Sequence, residues 1–236
     1  MSRQQIYTFW EGKMPAYLSL CLETWKFPFV ILTYDNLHQY TDARVTGKVK
    51  ERTLPKVGDW VRIHVLRDAG GYWLDTDTIM INDTLPHEAL IGNNELRGIT
   101  VGFLHATQPH DELFDRWAEY QDMTLDNLPN MSTDTTRWSI LGNDFSDPYL
   151  KSHTDIKIAD IDACWPENYM IADNITRPQK YNKFYFESNY TLEDIKKTNM
   201  LMLHNSWTPE WYKNLSRDAV LHKSCTLSNI LKEIIL

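Results

Sequence analysis

The sequence predicts a single α/β domain, and three observations carry that expectation. The first 35 residues read as strand, helix, strand; short β-prone runs alternate with helix-periodic runs thereafter; and 236 residues with 42% hydrophobic and 12% aromatic content can bury a real core. Ile6 to Trp10 is the opening strand. Pro15 suits a first helical turn, because the N–H that proline lacks would be unpaired there anyway. Leu18, Cys21, Leu22 and Trp25 follow at the i, i+3, i+4, i+7 spacing of a buried helix face. Phe29 to Thr33 is a continuous apolar run ending in Tyr34-Asp35-Asn36, which reads as a buried parallel strand whose carboxyl end reaches a polar edge. Ligands of open α/β sheets sit outside the carboxyl ends of the strands, so Trp10-Glu11-Gly12 and Tyr34-Asp35-Asn36 are expected to line one crevice.

A second helix is expected from about Val57 to Ala69, stopped by Gly70-Gly71, where glycine accepts the left-handed cap conformation. Tyr72 to Ile81 then reads as one β-branched and aromatic strand, interrupted by Asp75 and Asp77. A strand near Ile99 to Leu104, a helix near Asp111 to Met123 and a polar loop around Asn127 to Thr136 come next. A strand at Met200 to Leu203 runs into His204-Asn205-Ser206-Trp207, and Thr208-Pro209 caps a further helix. Leu227, Ile230, Leu231, Ile234 and Ile235 share one face of a last amphipathic helix, expected to pack on the domain, with membrane-surface docking a lesser alternative. Neither an internal repeat nor a low-complexity linker divides the chain, so residues 1–236 are taken as one domain, 1–105 and 106–236 forming its two halves.

Composition excludes several classes. No run of 18 apolar residues exists to span a bilayer, and the opening MSRQQIYTFWEG lacks the apolar core of a secretory signal. Cys21, Cys164 and Cys225 are odd in number and widely spaced, which favours neither a disulfide framework nor a zinc site. A reducing, cytoplasmic setting is expected, with contact at the inner membrane face left open. The net charge of −8 argues against broad phosphate-backbone binding. No GxGxxG or GxxxxGK[ST] follows either early strand, so a dinucleotide fingerprint and a P-loop are disfavoured.

The chemistry-bearing stretch is Asp59 to Asp77. On one strand, Asp75 and Asp77 would project to the same side roughly 6–7 Å apart. Two carboxylates at that distance repel by about 2–3 kcal/mol at an effective dielectric of about 20, which a divalent cation would offset. Mg²⁺ or Mn²⁺ takes carboxylate oxygens and shares them with substrate phosphates, so the pair suggests a metal-bridged diphosphate. The plainer alternative is one solvated aspartate at a strand end and one capping a turn. Asp59 and Arg62 lie three apart on an otherwise apolar helix, either facing a partly enclosed site or forming a simple i, i+3 ion pair.

The segment from Pro55 to Ile81, with its D-x-x-R and its L-x-x-x-G-G-x-W-x-D-x-D, resembles the signature of DXD-type retaining glycosyltransferases. These include capsular-polysaccharide enzymes and the glucosyltransferase domains of large clostridial toxins. The likeness extends to Ile6-Tyr7-Thr8-Phe9-Trp10-Glu11-Gly12 and to His204-Asn205-Ser206-Trp207, together about a quarter of the chain in the expected order. The resemblance implies a GT-A-like fold, a Rossmann-like mixed sheet flanked by helices, with Mn²⁺ or Mg²⁺ and a nucleotide-sugar donor, a UDP-sugar by preference. It implies that Asp77 ligates the metal, that Asp75 contacts ribose and metal, and that His204 adds a metal ligand or touches the β-phosphate. Asp59 and Arg62 would hold donor-sugar hydroxyls and the diphosphate, Phe9 and Trp10 would pack on the base, and Ser206 and Trp207 would close over the leaving group. Asp134, Asn143 and Asp144 fall where the family places acceptor-side polar residues; Asp134 is the candidate catalytic group there. The Gly-Pro step common in relatives is replaced here by Ser132-Thr133-Asp134-Thr135-Thr136. The implied acceptor is a surface glycan; a protein, a lipid-linked sugar or a modified nucleic-acid base stay open as alternatives.

Two rival readings compete with this resemblance. Asp75-Thr76-Asp77-Thr78 matches the DxDxT loop of haloacid-dehalogenase phosphatases, but that chemistry needs a lysine on the phosphate and none lies between Val57 and Leu150. A non-enzymatic carbohydrate-binding module would suit the aromatic content, yet has no use for Asp59, Arg62 or a metal-tuned acid pair.

Overall fold

The computed structural model describes residues 5–87, 91–94, 98–128, 137–160, 162–163, 175–195 and 199–236. The chain opens as expected: β1 (Ile6–Phe9), α1 (Ala16–Glu23) and β2 (Phe29–Leu32) form a βαβ unit whose strands pair in parallel, Ile6 opposite Phe29. Pro15 caps α1 rather than entering it. Trp25 lies past the end of α1, but its ring is buried and its Nε1 donates to Thr78 O at 2.8 Å. β2 departs from expectation: it is the edge strand of the sheet and only half-buried.

After a short α2 (Gly47–Lys50), α3 (Leu54–Ala69) starts on Thr53 with Pro55 in its first turn and carries a nearly continuous buried stretch from Lys56 to Leu66. Gly70 ends it at φ +67°, its N–H donating to Leu66 O at 2.9 Å. Gly71 follows at φ +92°, where an added Cβ would stand 2.5 Å from Gln5 O. Only glycine lets the chain turn there while pressed against β1.

The expected single strand over Tyr72 to Ile81 is two strands in two sheets: β3 (Gly71–Leu74) and β4 (Thr78–Met80). With β5 (Ile91–Asn94), β6 (Gly98–Ala106) and β7 (Ile158–Asp160), the larger sheet runs β2-β1-β3-β6-β5-β7. Only β6 opposes its neighbours; the other five strands share one direction. This is the mixed sheet expected, flanked by helices. β4 pairs with β9 (Met200–Met202), which also pairs with β8 (Asp162–Ala163). The joint between β3 and β4 is therefore a seam between sheets. Asp75 N donates to Gly102 O at 2.9 Å beyond the last paired residues of β3, and Asp77 O accepts from Leu203 N at 3.0 Å beyond the end of β9.

α4 (Glu112–Asn127) begins on Asp111, whose side chain accepts from Leu113 N. α5 (Asn143–Ser152), α6 (Arg177–Tyr185), α7 (Leu192–Ile195), α8 (Glu210–Lys213) and α9 (Arg217–His222) were not anticipated, apart from the cap at Thr208-Pro209, where Pro209 does start α8. α10 (Thr226–Ile235) buries Leu227, Ile230 and Leu231 in one cluster with Tyr17, Leu18 and Cys21 of α1, so the terminal helix does pack on the domain. Cys21 and Cys225 are buried free thiols; Cys164 lies outside the described residues. Among the described residues no helix is long and apolar enough to cross a membrane.

Candidate functional site

Three chain segments meet where β1, β3 and β9 end, which is where an open α/β sheet places its ligand. At the end of β1, Trp10 N donates to Leu32 O at 3.0 Å, and Glu11 Oε1 accepts from Tyr34 N, so the two strand ends expected to share a crevice are tied together. At the end of β3, Asp75-Thr76-Asp77 forms a turn closed by Thr78 N donating to Asp75 O at 3.0 Å. Thr76 pins that turn beneath β1: its hydroxyl lies 3.1 Å from Thr8 Oγ1 and donates to Phe9 O at 3.3 Å. The alternation argument for the acid pair therefore fails, since the two aspartates flank a turn residue rather than alternate along a strand. The juxtaposition survives by another route, because each aspartate continues a different sheet.

Arg62 organises the acids. Its Nη2 lies 3.1 Å from Asp59 Oδ1 and 3.1 Å from Asp75 Oδ1, its Nη1 donates to Val101 O, and its guanidinium sits 5.3 Å from the centre of the Trp73 ring. Trp73 Nε1 donates to Asp75 Oδ1 at 2.9 Å. Arg62 and Asp59 are buried, whereas the Asp75 side chain keeps 36% of its exposure and can meet a ligand. Burial pushes the Asp59 carboxyl up to about 6 against the opposing pull of Arg62, and Asp75 adds to the rise. Asp77 Oδ2 accepts from Asn205 N at 2.8 Å; burial, reinforced by the nearby Asp75, pushes its carboxyl up to about 7. Two carboxylates thus share one guanidinium with a third, Asp77, close beside them, an acid-rich arrangement that favours a cation.

The donor set fits a hard divalent ion. Asp75 Oδ2 receives no hydrogen bond among the described residues, and it lies where a Cβ on Gly102 would come within 2.9 Å, so glycine at 102 leaves that oxygen its room. Two carboxylates with further positions left for phosphate oxygens are what such an ion takes. His204 is not gathered into this pair: among the described residues no group of three or more His, Cys, Asp or Glu stands close enough to hold a metal. Its ring stacks on Trp207 at 3.8 Å, with Nδ1 2.7 Å from Ser206 Oγ. His204 is nonetheless next in the chain to Asn205, whose side chain accepts from Tyr17 OH, so His204, Ser206 and Trp207 lie beside the Asp77 end of the site.

The remaining expectations divide. Phe9 is buried and meets Tyr34 edge-on at 5.6 Å, which makes it part of the crevice wall; Trp10 is half-buried. Asp134 lies outside the described residues. Asp144 is held by Arg137 and by Ser139 Oγ at 2.7 Å, and Asn143 Nδ2 donates to Asp147 at 3.2 Å. The sequence reading missed Trp73, Gly102, Tyr17 and Gln121. Gln121, on the buried face of α4, donates to Asp59 O at 2.8 Å and to Leu141 O at 2.6 Å.

A family model described as capsular polysaccharide synthesis protein matches residues 1–229. No curated protein matches the chain as a relative. Among solved structures, the apo form of glycosyltransferase GlyE from Streptococcus pneumoniae TIGR4 is 9% identical, with a TM-score of 0.45 over 93% of this chain and 62% of that one. A second GlyE structure gives 11% identity and a TM-score of 0.42 over 94% and 62%. A glycosyltransferase involved in glycosylation of the major capsid of PBCV-1 gives 10% and 0.40 over 91% and 95%. The chain therefore spans 62% of the length of the pneumococcal structures it matches.

Proposed function

The chain belongs to the capsular polysaccharide synthesis protein family, and from that premise we propose that it is a glycosyltransferase moving a sugar from a nucleotide-diphosphate donor, a UDP-sugar by preference, to a glycan hydroxyl with retention of configuration. The observation that carries this reading is the single guanidinium of Arg62 shared by Asp59 and Asp75, set beside Asp77 at the carboxyl ends of the strands. A sugar diphosphate needs both features: anionic oxygens to hold a divalent ion and a cation facing the phosphates.

In this reading Asp75 and Asp77 hold Mn²⁺ or Mg²⁺. The ion, when bound, neutralises charge that builds on the departing diphosphate. Arg62, fixed by Asp59, Val101 O and Trp73, adds a preorganised positive charge that costs no rearrangement as the bond breaks. Asp59, buried and ion-paired, orients Arg62 and faces the donor sugar. The crevice between Trp10-Glu11-Gly12 and Tyr34-Asp35-Asn36 takes the nucleoside, its aromatic walls suiting a flat base. Ser206 and Trp207, beside the Asp77 end, close over the leaving group.

A thermal-shift panel of nucleotide sugars with and without Mn²⁺ tests the proposal, since a ligand of the folded state raises its melting temperature. A rise with UDP-sugars that needs the metal is expected. Asp77→Asn should abolish metal-dependent turnover of the stabilising donor while the variant still folds. Turnover equal to wild type, or phosphate release from p-nitrophenyl phosphate in place of sugar transfer, would defeat the reading.

A further inference from the structure

From the placement of one exposed tryptophan we infer that the turn from Arg137 to Gly142 is the acceptor wall of the site and that Trp138 is its sugar-stacking platform, an inference that rests on the transferase reading above. The turn is fastened to the donor side through buried contacts. Gln121, fully buried on α4, spans Asp59 O and Leu141 O with its two N–H groups. Trp117, one helical turn earlier, donates its Nε1 to the same Leu141 O at 3.1 Å. The turn closes on itself through Ile140 N to Arg137 O at 3.3 Å and Gly142 N to Ser139 O at 3.0 Å. Its last residue faces the acids: a Cβ on Gly142 would stand 3.9 Å from Asp59 Oδ2, ordinary contact distance. The turn is thus a wall against the carboxylate assigned to the donor sugar.

Trp138 stands on that wall with 59% of its surface exposed, one of the few large apolar side chains left open among the described residues. A tryptophan packed for stability would be covered; this one is left open on a turn whose neighbouring residues are polar, Arg137 and Ser139 both bonding Asp144. That combination matches the chemistry of a pyranose, which has an apolar C–H face and a hydroxyl edge. The face would stack on the indole and the hydroxyls would meet the polar rim, bringing one hydroxyl toward Asp59 and the donor.

The test uses the full chain and four probes, the p-nitrophenyl glycosides of glucose, galactose, mannose and N-acetylglucosamine, titrated by saturation-transfer NMR. Wild type should bind at least one. Trp138→Ala and Trp138→Leu should each weaken that binding about tenfold, and Trp138→Tyr should restore it to within about threefold, because an aromatic face and not bulk is what the sugar needs. No binding by wild type, affinity unchanged in Trp138→Ala, or Trp138→Leu as good as Trp138→Tyr would each overturn the inference. Metal-dependent hydrolysis of UDP-sugars by wild type, measured without acceptor, reports the parent reading separately: its absence would defeat the transferase while the glycoside titrations still decide the role of Trp138.

Discussion

Removing Arg62 is the sharpest perturbation of the site, because five interactions end on one buried side chain. Arg62→Met keeps much of the apolar stem but deletes the ion pairs to Asp59 and Asp75, the bonds to Val101 O and Gly58 O, and the guanidinium's contact with Trp73. Asp75 is open enough to turn toward water; Asp59, with 5% exposure, is not. Breaking a buried pair on one side leaves an uncompensated charge and costs about 3–5 kcal/mol. For a chain of this length each kcal/mol moves the melting temperature by about 2–4 °C, so a fall of about 10 °C at pH 8 is expected. The loss has a pH signature. The Asp59 carboxyl already stands at about 6 with Arg62 beside it, above its unfolded value of 3.8, so its contribution to stability fades as pH rises through 6. Without the guanidinium its folded value rises further, so the variant should lose stability between pH 6 and 8 more steeply than wild type does. Asp59→Asn in the same chain removes the stranded charge and should recover at least half of the lost stability at pH 8. Melting curves of the wild type, both single variants and the double variant at pH 6 and pH 8 read all of this. A change under 2 °C in Arg62→Met, or no recovery in the double variant, would show that the Asp59–Arg62 pair is not the buried couple described.

Further outcomes follow from single contacts. Gly102→Ala should cut donor turnover by more than tenfold with a melting loss of only a few degrees, because the new Cβ meets Asp75 Oδ2 at 2.9 Å and the flexible Met202 Sδ at 2.9 Å; full turnover would mean Asp75 is not engaged. His64, fully buried, touches Asp122 Oδ1 through Nε2 at 3.0 Å, and burial lowers its pKa to about 3. The unfolded chain therefore takes up this proton first, and stability should be lost as pH falls from about 6.5 toward 3, by up to about 1.4 kcal/mol per pH unit for this group. His64→Phe should flatten that slope in denaturant titrations at pH 4 and pH 6.5, and an unaltered slope would refute the assignment.

Much of this fold was legible because its signals are local. Pro15 and the Gly70-Gly71 stop each fix a helix end through local backbone geometry, and the apolar spacing of Leu227, Ile230 and Leu231 fixes a buried face. The misreadings have a common cause. Tyr72 to Ile81 is apolar and β-prone throughout, so nothing in its pattern announces a passage from one sheet to another; the break is set by β1 and β9, partners 65 or more residues away in the cases of Thr8 to Thr76 and Leu203 to Asp77. β2 reads as a buried strand by composition, yet edge or centre is decided by which strands pair, and pairing is not local.

The site shows the same division between local and distant information, and it explains why the acid pair could be found by an argument whose geometry was wrong. Spacing in sequence brought Asp75 and Asp77 to notice, and their shared repulsion is real in the structure, where Asp75 helps raise the Asp77 carboxyl. What makes that repulsion tolerable lies elsewhere: Asn205 N on Asp77, Arg62 and Trp73 on Asp75, Gly102 leaving space for Oδ2. None of these could be read from the tripeptide. One distant signal was available. Gln121 interrupts the apolar face that Leu113, Phe114, Trp117, Ala118 and Leu125 build on α4, and all six are buried. A glutamine in such a face is costly to bury; here both N–H groups find partners while Oε1 has none among the described residues, so its presence points to backbone that must be held in place. That backbone is Asp59 and the turn bearing Trp138. A lone amide on an apolar helix thus marks the joint between the two walls of the crevice more directly than the charged residues do.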